Sequence, residues 1–328
     1  MLGQRSGYGG MRVKRRVVSA SAFLMVLLVS AFAAGESIAG DEYEAGDSWT
    51  YDMEMTIESL QLSGTYTQTF DGESTQTVAG YTYSTYEIGY HGSLTITGTM
   101  LGYTVSGTAT VSGVDSVDQN SLNVVVGDYE ISMEYSVVIG STPVTMEYSE
   151  HNISKISPPG GVGEEPEHPD EGTSWTKTYT VHSETTINDD GDISTESSSF
   201  TARETYTYMG VQTITVPAGT FECEVIQTDD GESISTGWYC DDTGTYVKSA
   251  YETGSSQTAT RLLKSYSYTP PSSGGLSSAM MLMIAGIAVV VVVAVVVAWV
   301  LLRRKSPPME QQVSPTVQQP GPPMPPAG

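Results

Sequence analysis

The sequence predicts a mostly β protein: two antiparallel β units outside the cell, followed by one membrane-spanning helix. Three observations carry this reading. Apolar and polar residues alternate with period two from Ser48 to about Ser154 and again from Thr173 to Tyr268, as half-buried strands require. The same stretches are rich in Thr, Ser, Tyr and Val, side chains that fit a pleated surface. Residues 279–302 carry no charge and exceed the roughly 20 apolar residues that cross a bilayer core as a helix.

Residues 1–39 have the order of a secretory signal. A basic region (Arg12, Lys14, Arg15, Arg16) precedes the apolar run Val17 to Ala34, and small residues follow, with cleavage expected after Ala33, Ala34 or Ala39. Met11 is an alternative start, and an uncleaved N-terminal anchor is the alternative to a signal. At the other end, Arg303, Arg304 and Lys305 directly follow the apolar run and mark its cytoplasmic side, with Trp299 at the interface. The expected placement is therefore a single-pass protein of the cell membrane with its β part extracellular, the membrane being its first partner. Residues 303–328, rich in Pro and Gln, read as a disordered cytoplasmic tail.

Charge narrows the partners. The chain has 38 acidic and 14 basic residues. Only Glu36 and Glu310 of the acids, but eight of the bases, fall outside 41–275, leaving 36 acids against 6 bases in the outer part. Such a surface repels nucleic acid and anionic headgroups and suits an acidic or salty exterior.

The first β unit is placed at 40–157. Trp49, Tyr51, Met53 and Met55 share one face and Thr50, Asp52, Glu54 and Thr56 the other. Further alternating runs follow up to Val144 to Tyr148, which indicates a sheet, sandwich or open barrel. Pro158-Pro159-Gly160-Gly161 and the acidic run from Glu164 to Glu171 place a linker at 158–172. The second unit spans 173–268, and a stalk, 269–278, leads to the apolar run. The units look duplicated: Ser48-Trp49-Thr50 matches Ser174-Trp175-Thr176, Thr75-Gln76-Thr77-Val78 matches Thr213-Ile214-Thr215-Val216, and Tyr86-Glu87-Ile88 matches Glu224-Val225-Ile226.

In the second unit, Thr215-Val216-Pro217-Ala218-Gly219-Thr220-Phe221, then Trp238-Tyr239, then Gly244-Thr245-Tyr246-Val247-Lys248, resembles a family of secreted prokaryotic β-proteins. Their fold is similar to the curved half-barrel sheet of lipoprotein carriers such as LolA. The resemblance covers about the last hundred residues of the outer part and the first unit only loosely. It implies two curved-sheet or half-barrel units and an apolar or lipid-like ligand on the concave face. It brings no catalytic residues.

Candidate sites are few. Cys223 and Cys240 flank the turn Asp229-Asp230-Gly231-Glu232. A two-residue loop at Gly231-Glu232 makes them facing residues within disulfide reach, so a cross-strand disulfide is expected, with two buried free thiols as the alternative. Asn152-Ile153-Ser154 is a glycosylation sequon. The four histidines, His91, His151, His168 and His182, lack the close pairing of a zinc site. Ser174-Trp175-Thr176-Lys177 matches S-x-x-K by spacing, but the S-D-N and K-T-G partners are missing. Asn188, Asp190 and Asp192 alternate as calcium ligands could, yet the spacing fails the EF-hand pattern, and such tips are usually turns. The 20 tyrosines are expected to fill core-facing strand positions. No cofactor is expected, and no enzyme motif supports catalysis. The expected function is a non-enzymatic surface module that holds an apolar ligand or meets a surface partner. An adhesive or envelope-structural protein without a small ligand is the alternative.

Overall fold

The structure is a computed structural model that describes residues 43–268, apart from 58, 101, 120–122, 140, 164–165, 167–168 and 255–256. Alternation of small, branched and aromatic residues produces twelve strands. The first half holds β1 (Ser48–Ile57), β2 (Leu60–Val78), β3 (Tyr81–Met100), β4 (Tyr103–Asp118), β5 (Val124–Ile139) and β6 (Thr142–Val162). The second half holds β7 (Ser174–Asp189), β8 (Asp192–Val216), β9 (Gly219–Asp229), β10 (Ser233–Cys240), β11 (Thr245–Thr253) and β12 (Gln257–Ser267). Each strand pairs antiparallel with its sequence neighbours, and β1 pairs with β12, so the twelve close into one up-and-down barrel.

This corrects the expected fold class. The two half-barrel units are the halves of one barrel, joined at β6–β7 and at β1–β12. A six-stranded half standing alone would leave two edges with unpaired N–H and C=O groups, and closure removes both. The Pro-Gly stretch read as the start of a linker lies at the end of β6. The β6–β7 register jumps there from Ser157↔Thr180 to Val162↔Thr178, a bulge that accommodates residues without a ladder donor.

The single-pass membrane placement is corrected as well. Among the described residues, strands are joined by turns and one short 3-10 turn, Asp241–Thr243, and no helix is long and apolar enough to cross a membrane. The barrel's outward face carries hydroxyl pairs such as Thr50–Thr67, Thr186–Thr195 and Ser174–Thr207 rather than the apolar band of a membrane barrel. The signal at 1–39, the stalk at 269–278, the apolar run at 279–302, and Arg303, Arg304 and Lys305 with the tail lie outside the described residues.

The halves repeat each other in register. Trp49 faces Gln68 and Trp175 faces Tyr206; Phe70 faces Ile88 and Tyr208 faces Ile226. Ahead of each tryptophan a tight turn clasps the next strand. Gly46 N–H donates to Phe70 O and Phe70 N–H to Asp47 O, while Gly172 N–H donates to Tyr208 O and Tyr208 N–H to Thr173 O. Each half then bulges at a glycine of positive φ, Gly72 (126°) or Gly210 (82°), a conformation that suits residues without Cβ.

Beyond these bends the β2–β3 and β8–β9 hairpins fold across neighbouring strands. Their cover shows in consecutive buried residues, which a strand open on one face cannot have: Ser116 and Val117, Val124 and Val125, Val225 and Ile226, Tyr239 and Cys240, Tyr246 and Val247. Gln76 Nε2 donates to Ser116 Oγ at 3.0 Å, and Ala218 N–H donates to Leu263 O at 3.0 Å. The Val-Pro-Ala-Gly-Thr-Phe segment is thus the tip of a clasp that reaches β12.

Candidate functional site: the barrel interior

The lumen is filled by large side chains. Trp49, Tyr51 and Ile96 have no exposed surface, and Tyr66, Met53 and Leu62 each keep 1%. Buried apolar residues from all twelve strands form one contiguous cluster. Tyrosines supply much of this bulk, as expected from composition. A twelve-strand barrel is wide, and long aromatic side chains meet across it where aliphatic ones would leave a gap. Glycines make room for them: a Cβ on Gly113 would stand 2.6 Å from the Tyr90 hydroxyl.

Ionisable groups sit within this filling. Glu150 on β6 is 6% exposed, Glu204 on β8 0% and Asp115 on β4 8%. Tyr129 and Tyr148 donate their hydroxyls to the two oxygens of Glu150, at 3.1 and 2.9 Å. Tyr179 and Tyr206 clasp the two oxygens of Glu204 in the same way. Between the clamps, Asn152 Nδ2 donates to Ser183 Oγ at 3.0 Å and Thr185 Oγ1 at 2.9 Å, and Ser154 Oγ donates to Asn152 Oδ1 at 2.8 Å, which stitches β6 to β7. Burial raises all three acids: Glu204 to about 8 and Asp115 to about 7, with Glu87 adding to the latter, while Glu150 rises against the pull of its tyrosines. Arg261 lies over the rings of Tyr51 and Tyr66, 4.4 and 5.6 Å from their centroids.

Sequence reasoning passed over these acids, although a signal was present. Tyr148-x-Glu150 and Glu204-x-Tyr206 have the two-residue spacing that puts both side chains on one face, and tyrosines are the residues expected at core-facing strand positions.

The residues singled out from sequence fall as follows. The β9–β10 register runs from Asp229↔Ile234 to Glu224↔Tyr239, as the two-residue loop predicts, and its next facing pair is Cys223 with Cys240. Both stand as buried thiols, and their mutual hydrogen bond, with burial, pushes the Cys223 thiol above its ordinary range. Asn152, the glycosylation candidate, is 3% exposed and points into the barrel, so a surface position is corrected to an interior one. His151 pairs with Asp128 at 2.8 Å on the exposed face. Asn188 Oδ1 accepts the Gly191 N–H and Asp230 Oδ1 accepts two backbone N–H groups, so both hairpin tips are side-chain-capped turns. On the outer face of β4–β6 a groove of about 380 Å³ is lined by Thr108, Thr110, Ser132, Glu134, Glu147 and Asp190.

No family model matches the sequence, and no curated protein matches it. Among solved structures, the chain is similar to a protein named as exported, with a YmcC-like fold, from Bacteroides fragilis (13% identity, TM-score 0.25, covering 71% of this chain and 99% of that one). It is also similar to a protein named as a lipoprotein from Parabacteroides distasonis (13%, TM-score 0.24, 71% and 99%). A third is a β-barrel-like protein of a domain family of unknown function from Brucella abortus (8%, TM-score 0.27, 69% and 99%). Scores this low leave the fold resting on the strand register above, and the likeness to LolA-type carriers remains a resemblance.

Proposed function

We propose that this protein is a non-enzymatic module of the cell envelope that works through its outer surface. The filled lumen carries the proposal. Rings and aliphatic chains with no exposed surface leave a lipid chain no space beside them, and the buried Glu150 and Glu204 are held by tyrosine hydroxyls rather than presented to a substrate. What the barrel offers a partner is its exterior: hydroxyl-bearing strands, acidic side chains and the groove across β4–β6. Such a surface favours cationic partners and disfavours nucleic acid.

Mass spectrometry of an organic extract of the purified barrel tests this reading. The expected result is no lipid at stoichiometric level. One lipid per chain, lost when Tyr66 or Ile96 is enlarged or made polar, would overturn it in favour of the apolar ligand that the curved-sheet resemblance implies.

A further inference from the structure

We propose that Glu150 and Glu204 form a pH-sensitive lock: as neutral acids they hold the β5–β8 wall closed, and their ionisation loosens it. The geometry is specific. Each glutamate has one tyrosine hydroxyl on each oxygen, and each clamp spans two neighbouring strands, Tyr129 of β5 with Glu150 of β6, and Tyr179 of β7 with Glu204 of β8. The Asn152–Ser183–Thr185 bonds tie one clamp to the other across β6–β7, the seam that joins the two halves.

The groups facing each acid set its charge preference. Glu150 meets Tyr129, Tyr148 and, from β7, the apolar Ile187. Asp115 faces Ile88 of β3 and, on β5, Gly127, which has no side chain; the charge of Glu87, which accepts from Ser116, adds to the effect of burial. Glu204 meets Tyr179, Tyr206, the carboxyl of Asp230, which disfavours its charge, and Lys177, which favours it. Tyrosine hydroxyls can hydrogen-bond either form of a carboxyl group, but they carry no charge to compensate an anion away from water. Only Glu204 has a cation facing it, and burial outweighs that cation too.

A buried carboxyl whose folded pKa lies above its unfolded value stabilises the fold while protonated. The contribution is complete below the unfolded value, 4.5 for Glu and 3.8 for Asp, and disappears as pH rises through about 7 for Asp115 and about 8 for Glu204. Within that window each group lowers the folded-to-unfolded ratio about tenfold per pH unit. Surface carboxyls are already ionised by about pH 6, but histidines change charge in this range, so the amide variant is what separates the interior acids from exposed His151 and His182 on β6 and β7.

Hydrogen exchange of the full chain at pH 6, 7 and 8.5, corrected for intrinsic exchange, tests the lock. Protection of peptides from β5–β8 should fall at least tenfold across this range, against less than threefold for β1–β2. Glu150→Gln with Glu204→Gln, permanently neutral, should hold most of the β5–β8 protection. Protection that does not change with pH, an equal fall in β1–β2, or the same fall in the amide variant overturns the proposal. Should the variant not fold, the same comparison of β5–β8 with β1–β2 in a His151→Asn, His182→Asn chain, which leaves both clamps in place, decides: a retained fall supports the lock and a lost one overturns it.

Discussion

The duplicated tryptophans offer a test of how one motif is used twice. Trp49 is fully buried and its Nε1–H donates to Thr243 O at 2.8 Å. Trp175, its counterpart, is 7% exposed, stacks on Tyr206 at 5.7 Å and 13°, and its buried Nε1 has no hydrogen-bond partner among the described residues. Replacing either with Phe keeps an aromatic ring and loses roughly 1 kcal/mol of apolar burial. At Trp49 the change also leaves the Thr243 carbonyl without its donor, a buried deficit of about 1–3 kcal/mol. At Trp175 it removes an unpaired buried N–H, which returns a similar amount. Trp49→Phe should therefore destabilise by about 2–4 kcal/mol and Trp175→Phe by about 1 kcal/mol or less. Guanidinium unfolding followed by circular dichroism measures both on one scale. Losses equal within about 0.5 kcal/mol, or a larger loss at Trp175, would refute the reasoning, since repeated sequence would then mean repeated energetics.

Two further outcomes follow from the register. Cys223 and Cys240 are the next facing pair of β9–β10 and should be joined in protein from an oxidising compartment. Their reduction should lower stability by about 3 kcal/mol, and non-reducing peptide maps in which both are alkylated would rule the bond out. Asn152 should carry no glycan when the chain is made in a host that modifies such sequons, because its amide is hydrogen-bonded inside the barrel; full occupancy by intact mass would contradict its interior position.

Strand positions and faces were legible in the sequence; closure was not. Period-two alternation says which side of Trp49 to Met55 is buried, and the Asp-Gly turn before Ser233 sets the β9–β10 register, because both are local. It does not say which strand closes the sheet. The pairing of Ser48 with Ser267 joins the two ends of the described chain, and the β6–β7 pairing crosses the Pro-Gly stretch that local composition reads as a boundary. The interior acids were hidden for a related reason. Glu150 and Glu204 interrupt apolar faces, and a carboxyl on such a face is tolerated only where specific hydroxyls from other strands meet it. Tyr129 and Tyr179 come from neighbouring strands, 21 and 25 residues away in sequence.

The correspondence of the two halves in register accounts for how the barrel closes. Two copies of a six-stranded curved unit cancel each other's edges, so each copy depends on the other for its outermost ladders. The dependence extends to single bonds: Trp49 of the first half donates to Thr243 of the second, and the Tyr43 hydroxyl, ahead of β1, donates to Gly244 O beside it. Tyr51 and Tyr66 of the first half correspond by register to Lys177 and Glu204 of the second, so two facing rings in one half stand where the other has a lysine facing a carboxyl. Arg261 of β12 lies against the first half's rings, while the two clamped glutamates, Glu150 of the first half and Glu204 of the second, stand on either side of the β6–β7 seam.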